Sequence, residues 1–290
     1  MTPRSHYTVP LPDGGALRLG ERTLVMGIVN VTPDSFSDGG RSLDPGQAAE
    51  HALEMVESGA DLLDIGGEST RPGAAGVSVE EELRRVVPVL DRLTGRVRVP
   101  LSIDTSKAEV ARVALEHGAT VVNDVSGLLY EPALATVAAE RGAALVLMHN
   151  RGHSRDMYRE ATYLDVGDEV TRELAERIEA ALAGGVARAS IIVDPGLGFA
   201  KRAEHSYAAL ATVGRLASLD RPVLVGPSRK SFLATDGDGG PAHREYGTAA
   251  AVTAAVLEGA HIVRVHQVRE MVQVTRVADR IRAHAGVAAT

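Results

Sequence analysis

Eight short apolar runs in this 290-residue sequence each lead into a side chain that could do chemistry. The residues at these points are Asn30, Asp64 with Glu68, Asp104, Asn123, His149, Asp194, Ser228 with Lys230, and Arg264 with His266. The chain has no cysteine, and its histidines lack the spacing of a metal-binding motif, so a metal cage is disfavoured. Carboxylates and an amide in this set are better suited to accept hydrogen bonds from a ligand rich in N–H donors.

A simpler role for each acidic or amide residue is to cap the helix that follows its strand. We favour that role for Asp64 and Asp124, and ligand binding for Asp104 and Asp194, which lie deep in their strand ends. His149 is interpreted as a structural residue. His266 is interpreted as a ligand contact, because Arg264 lies two residues earlier on the same strand face.

Two residue types are rare enough to be informative. The 31 basic residues include only three lysines, which are Lys107, Lys201 and Lys230. Arginine cannot replace a compact ammonium in a tight pocket, which would explain why these lysines persist. The three phenylalanines, Phe36, Phe199 and Phe232, all follow strand ends, where their rings could contact a flat ligand.

The apolar runs also indicate the elements that position these side chains. They are nearly continuous in Val, Ile, Leu and Met, which is typical of a parallel sheet covered on both faces. Four Gly-Ala pairs mark helix ends before strands, at Gly59-Ala60, Gly118-Ala119, Gly142-Ala143 and Gly259-Ala260. Eight strand-helix units favour an α/β fold of the (β/α)8 TIM-barrel type over an open doubly wound sheet. The site is then expected at the carboxyl ends of the strands.

Local signals place several helix boundaries. Ser78 with Glu81 resembles a capping box, and Asp44 before Pro45 predicts a capped helix start. A helical stripe over the last helix consists of Met271, Val274, Ala278 and Ile281. The segment from Tyr7 to Arg22 predicts a short hairpin that covers the barrel bottom. We therefore divide the chain into an N-terminal hairpin extension, residues 1–22, and a barrel, residues 23–285.

Charge and hydropathy exclude some partners. A net charge of −7 argues against non-specific binding to nucleic acid or to anionic lipid, because both require a basic face. The N-terminal residues lack an apolar signal core, and no apolar run is long enough to span a bilayer. We expect a cytoplasmic protein that binds small molecules and neither nucleic acid nor membrane.

Eight segments together resemble dihydropteroate synthase, a family of the folate pathway, and they occur in the order seen in that family. The segments are MGIVNVTPDSFSDGG (26–40), GGESTRPG (66–73), SIDTSK (102–107), VVND (121–124), LMH (147–149), DPGLGFAK (194–201), GPSRKSF (226–232) and RVH (264–266). The resemblance implies a TIM-barrel transferase, usually a homodimer that uses Mg²⁺. It would condense 6-hydroxymethyl-7,8-dihydropterin pyrophosphate with p-aminobenzoate by an S_N1-like path.

The resemblance also implies a role for individual residues. Those expected to bind the pterin are Asp104, Asn123, Met148, Asp194, Lys230 and Arg264. Those expected to bind pyrophosphate are Asn30, Thr70, Ser228, Arg264 and His266, with Asn30 also the metal ligand. Those expected around p-aminobenzoate are Phe36, Ser69, Thr70, Arg71, Pro72, Phe199, Lys230 and Ser231. The implied catalytic residues are Asp34, Lys230, Arg264 and His266.

Two other functions are alternatives to the synthase. A pterin-dependent methyltransferase would share the barrel and the carboxylate slot, and a non-catalytic pterin-binding paralogue would share the pockets.

Three segments depart from the family pattern. Asn150-Arg151-Gly152, Pro227 and Gln267 differ from the residues expected after or within their motifs. None carries an implied direct role, so they bear on local loop structure.

Overall fold

A two-stranded antiparallel hairpin begins the described part of the chain. The computed structural model describes residues 4–32, 44–69, 76–152, 158–159, 161–235 and 239–285. Strand β1, Tyr7–Pro10, pairs with β2, Ala16–Leu19, around the predicted turn. Hairpin residues Val9 and Leu17 are buried in a cluster with Met26, Leu62 and other apolar residues inside the barrel. The hairpin therefore closes the bottom of the barrel, as predicted.

Eight parallel strands form the barrel. They are β3 Leu24–Asn30, β4 Leu62–Gly66, β5 Leu101–Asp104, β6 Val121–Asp124, β7 Ala144–Met148, β8 Ile191–Asp194, β9 Leu224–Val225 and β10 Ile262–Val265. Consecutive strands from β3 to β8 are neighbours, and β10 pairs with both β3 and β9. A parallel bridge between Val193 and Val223 joins β8 to the residues just before β9. The predicted barrel is confirmed. Between β8 and β9, this single bridge takes the place of a continuous ladder of hydrogen bonds.

Helices cover the outside of the ring. They are α1 Pro45–Glu57, α2 Val79–Leu93, α3 Ala108–Glu116, α4 Ala133–Glu140, α5 Val166–Ala183, α6 Ala203–Ala211, α7 Glu245–Leu257 and α8 Val268–His284. Within α8, Met271 and Ala278 are buried as predicted and Val274 is partly buried, but Ile281 is 48% exposed, so the predicted stripe does not extend into the last turn. None of the helices in the described ranges has the length and apolar character to cross a membrane.

The four Gly-Ala pairs end helices as predicted. Gly59, for example, has a φ of +101°, a conformation that only glycine adopts at little cost. The N–H of Ala60 then donates to the carbonyl of Met55, which satisfies an otherwise free end of α1. Each such stop leads the chain within a few residues into a buried strand, and so fixes where that strand starts.

The predicted helix starts are also present, one of them only in part. Asp44 accepts from the N–H of Gly46 and precedes Pro45 in the first turn of α1. Ser78 accepts from the N–H of Glu81, but the Glu81 carboxylate turns outward to Arg84 and Arg85. Only half of the capping box therefore forms.

Candidate active site

An arginine near the end of β10 lies between two carboxylates, one from β4 and one from β5. Arg264 Nε donates to Asp64 Oδ2 at 2.5 Å, and its Nη2 donates to Asp104 Oδ2 at 2.6 Å. Burial alone would lower the pKa of Arg264, but the two aspartates reverse this and raise it. Burial raises the pKa of Asp104, although Arg264 opposes the shift. The barrel mouth thus contains a charged group held by β4, β5 and β10.

The structure shows that the predicted helix-capping role of Asp64 is wrong. Its side chain is fully buried inside the barrel, where Oδ2 accepts from Arg264 and from Asn123 Nδ2, the latter at 2.9 Å. A capping residue follows its strand, whereas Asp64 lies inside β4, two residues before the strand ends at Gly66. Because Asp64 lies within an apolar run and does not follow it, the sequence itself already argued against a capping role.

Unpartnered acceptors face the same region. Asp64 Oδ1 and Asp104 Oδ1 are buried, and neither has a hydrogen-bond partner among the described residues. Leaving a buried acceptor unpaired costs free energy, so these oxygens are suited to a ligand that brings N–H donors. Asp124, by contrast, is bonded to Ser126 and to the N–H of Leu128, so it closes the turn after β6. The prediction that it caps the following helix is wrong, because α4 begins only after Pro132.

Asp194 ends β8 at the other side of the mouth. Its Oδ1 accepts from the N–H of Gly196 at 2.7 Å, and burial raises the pKa of its carboxyl. Lys230 and Arg264 both lie near enough to favour its ionised form. Asp194 is therefore an acceptor within a cationic environment, at the strand end where the sequence predicts a ligand contact.

Lys230 lies next to the loop that follows Asp194. Its Nζ donates to the carbonyl of Leu197 at 2.7 Å and lies 4.0 Å from the centre of the Phe199 ring. Burial lowers the pKa of this lysine to about 7. Phe199 also packs with Met148 in a small apolar cluster, so two residues predicted for different substrates share one wall.

The remaining phenylalanine in the described ranges has a different role. Phe232 is buried in the main apolar core and makes an edge contact with Tyr207, with ring centres 5.2 Å apart. Packing of the segment against α6 accounts for its position after a strand end. Phe232 also lines a cavity with Ser231 and Gly198, so its contact with a ligand stays a prediction.

Ser228 and His266 form a pair at the ends of β9 and β10. Ser228 Oγ lies 2.9 Å from His266 Nδ1 and accepts from the backbone N–H of His266 at 3.2 Å. The ring atom Nε2 of His266 is on the opposite edge from this contact. The two residues predicted to bind pyrophosphate are thus adjacent.

For the other predicted site residues, the structure gives positions and burial but few contacts. Asn30 is the last residue of β3 and is half-buried; it lies beside Gly66, whose neighbour across the next strand pair is Asp104. Ser69 is half-buried after β4, and Ser231 is exposed at the start of a short helical turn. Predicted residues outside the described ranges are Asp34, Phe36, Thr70, Arg71 and Pro72.

His149 is structural, as predicted. It is buried, and its two ring nitrogens are engaged by Lys201 at 2.7 Å and by Glu173 at 3.0 Å. Arg151, one of the departures from the family pattern, binds Glu173 on its other side. Gln267, another departure, contacts Glu245 at the surface. These departures therefore build supporting contacts around the mouth.

Comparisons with known proteins agree with this geometry. Residues 26–266 match the model of the family described as pterin binding enzyme. The dihydropteroate synthase of Synechocystis sp. is 46% identical over 278 residues, covering 95% of this chain and 96% of that protein. The chain belongs to the dihydropteroate synthase family. Solved structures support the same assignment.

Two dihydropteroate synthase structures show how closely the fold is shared. The enzyme of Yersinia pestis in a sulfonamide complex superposes with a TM-score of 0.88 at 42% identity, covering 96% of this chain and all of that one. The Xanthomonas albilineans enzyme in complex with 7,8-dihydropteroate gives a TM-score of 0.81 at 42% identity, covering 92% and 95% of the two chains. The family, the barrel and the transferase class are thereby established.

Proposed function

We propose that this chain joins 6-hydroxymethyl-7,8-dihydropterin pyrophosphate to p-aminobenzoate, giving 7,8-dihydropteroate and pyrophosphate. The observation that carries the proposal is the set of buried acceptors at the barrel mouth, with Lys230 beside them. The aminopyrimidinone edge of a pterin offers adjacent N–H donors, which a carboxylate accepts in parallel as charge-assisted bonds. Asp194 is suited to this edge, and Asp104 with Asn123 to the remaining ring nitrogens.

Fixed geometry supports this pterin slot. Asn123 donates its amide to Asp64, so its carbonyl oxygen points away from that contact and stays able to accept from a ligand. Asp104 retains one free oxygen while the other holds Arg264. Met148 supplies the apolar surface beside these polar groups. The slot is therefore largely formed before a ligand enters, which reduces the cost of ordering on binding.

Departure of pyrophosphate requires positive charge and hydrogen-bond donors near its oxygens. Arg264 uses its Nε and one Nη2 hydrogen for the two aspartates, and its other guanidinium hydrogens remain able to bind phosphate. His266, whose Nδ1 lies against Ser228 Oγ, is proposed to bind the same phosphate oxygens. Because these groups are held in place before the C–O bond breaks, they stabilise the developing negative charge without reorganisation. Asp34 is proposed to stabilise the pterin methylene cation.

Mg²⁺ fits this chain only as an ion shared with the substrate. The described residues contain no group of three or more His, Asp or Glu side chains that could enclose a metal. Asn30, at the rim, has no hydrogen-bond partner for its side chain among the described residues and could supply one oxygen. Mg²⁺ commonly takes one or two protein oxygens and fills its other positions with water and phosphate. When bound, it would neutralise charge on the leaving pyrophosphate.

The second substrate is proposed to bind beside Phe199 and the stem of Lys230. The amine of p-aminobenzoate would attack the pterin methylene carbon after the C–O bond breaks, forming the C–N bond and releasing one proton. Ser231, next to Lys230, is suited to bind the carboxylate end. Residues 69–72 and Phe36 would complete this pocket from the first two loops.

The homodimer that the resemblance implies and the cytoplasmic location expected from the sequence both belong to this proposal. Sedimentation at micromolar concentration tests the first, and fractionation of the source cells tests the second.

Inhibition kinetics test the function itself. The purified chain with both substrates and Mg²⁺ should form dihydropteroate, and a sulfonamide should raise the KM for p-aminobenzoate without changing kcat. A pterin-dependent methyltransferase or a non-catalytic paralogue would consume no p-aminobenzoate. Product formation that is insensitive to the sulfonamide would contradict the assignment of the second pocket.

A further inference from the structure

A buried lysine that none of the proposed substrate contacts uses is bonded entirely to neutral groups. Lys201 is 1% exposed, and its Nζ contacts His149 Nδ1 at 2.7 Å and the carbonyls of Gly196 and Phe199 at 3.1 Å each. An ammonium has three N–H donors and no acceptor, so these three contacts use it completely. His149 Nδ1 must then accept, and its Nε2–H donates to Glu173.

The charge of Lys201 is balanced at a distance. Asp194 gives the largest attraction among the nearby charges, and Glu173 adds a smaller one from beyond the neutral His149 ring, where Arg151 binds the same carboxylate. Burial lowers the pKa of Lys201 to about 7 and that of His149 to about 4. Three acceptors around the ammonium favour its charged form against that burial.

The loop that Lys201 holds has an unusual backbone. Gly196, Gly198 and Ala200 have φ values of +65°, +78° and +47°, and the left-handed region is disfavoured for alanine. A side chain at Gly196 would come within 2.0 Å of the His149 carbonyl oxygen, so the loop lies directly against the end of β7. The two carbonyls that Lys201 binds lie on either side of Gly198.

This loop serves both proposed pockets, but it holds them differently. The backbone of Asp194 is fixed by its strand, since its carbonyl accepts from the N–H of His149 at 2.8 Å, and the loop adds one contact to its carboxylate, from the N–H of Gly196. The carbonyl of Leu197, which holds Lys230 Nζ, and the ring of Phe199, under that ammonium, lie within the loop itself. Loss of the loop conformation would therefore affect the p-aminobenzoate wall more than the pterin slot.

We propose that Lys201, together with His149, is a positioning residue that fixes the 195–200 loop so that Phe199 and Lys230 form the p-aminobenzoate wall. The inference rests on the proposed function for the identity of the two substrates. It adds a role for a lysine that touches neither of them.

Lys201→Met tests the proposal, because methionine retains much of the side-chain volume and removes all three donors. The KM for p-aminobenzoate should rise at least about tenfold, and by a clearly larger factor than the dissociation constant of a pterin analogue, measured by calorimetry. Hydrogen exchange followed by mass spectrometry should show faster exchange in residues 195–201. This last measurement does not require activity, so it separates failure of the positioning role from failure of the proposed function.

Arg221→Met is the matched control. Arg221 is also a buried cation bonded to a backbone carbonyl, that of Arg188, but it precedes β9 at the opposite end of the barrel. It should lower Tm without changing either substrate constant or exchange in residues 195–201. If Lys201→Met does not fold, His149→Leu removes one of the three contacts and should change the same quantities in the same direction. Unchanged KM and exchange, or equal losses for both substrates, would overturn the proposal.

Discussion

Asp64 accepts a hydrogen bond from Arg264 at 2.5 Å, joining β4 to β10 across the barrel mouth. The same oxygen accepts from the amide of Asn123. One buried carboxylate thus orients a cation proposed for pyrophosphate and an amide proposed for the pterin. This relationship makes Asp64 a supporting residue for both.

Asp64→Asn should therefore weaken pterin binding and destabilise the chain. Removing the charge leaves Arg264 with less compensation in a buried site, at a cost of about 2 kcal/mol in the free energy of unfolding. Urea unfolding measures the loss, and calorimetry with a pterin analogue measures the affinity. Asp91→Asn, at an exposed contact with His117, is the control and should cost less than about 0.5 kcal/mol. Equal stability of the two variants would show that the Asp64 contacts are dispensable.

Asp194→Asn should act on pterin affinity directly. The substitution replaces a charged acceptor with a group that is partly a donor, and we expect a loss of about 2 to 4 kcal/mol, or roughly 30-fold and more. Asp165→Asn is the control, because Asp165 is exposed, caps α5 and pairs with Arg215, and contacts none of the proposed site residues in the described ranges. Calorimetric titration with one pterin analogue compares the two. An Asp194 variant with the affinity of the control would remove this residue from the pterin slot.

Lys230→Arg should lower kcat/KM at least about tenfold, which corresponds to about 1.4 kcal/mol. Its Nζ fits between the Leu197 carbonyl and the face of Phe199, where a planar guanidinium would need more room. Lys107→Arg is the matched control, because Lys107 binds Glu68 and Glu82 and contacts neither pocket. Steady-state kinetics with p-aminobenzoate as the varied substrate decide the point. Near-normal activity of the Lys230 variant would mean that any cation suffices.

A histidine that is buried in its neutral form should make the folded chain less stable in mild acid. Burial lowers the pKa of His261 from 6.5 to about 4, so below pH 6.5 the unfolded chain binds a proton that the folded chain does not. This contribution to stability is complete above pH 6.5 and is lost as the pH falls toward 4. Between pH 7 and pH 5, wild type should lose about 1 to 2 kcal/mol relative to His261→Gln. Urea unfolding at both pH values tests this, and parallel pH dependence in the two proteins would contradict it.

Much of the fold and part of the site could be predicted from the sequence for a physical reason. Strands of a parallel barrel end at one face, so Asp104, Asn123 and Asp194 had to converge once their apolar runs were recognised. The role of Asp64 escaped prediction because its partners, Arg264 and Asn123, are distant in sequence and are brought near only by ring closure.

The lysine network shows a second limit of sequence reasoning. The rarity of Lys201 indicated a tight pocket, which is confirmed, but two of its partners are backbone carbonyls. Their directions depend on left-handed φ values at Gly196, Gly198 and Ala200, and alanine gives no signal of that conformation. Side-chain composition alone therefore could not place the Lys201 contacts.

The most direct test of the proposed reaction is its stoichiometry. The purified chain with Mg²⁺, the dihydropterin pyrophosphate and p-aminobenzoate is followed for pyrophosphate and dihydropteroate in the same samples. We predict equal amounts of both products and no sustained pyrophosphate release when p-aminobenzoate is omitted. Pyrophosphate release at the same rate without p-aminobenzoate, or no dihydropteroate at all, would contradict the assignment of this barrel mouth to the condensation.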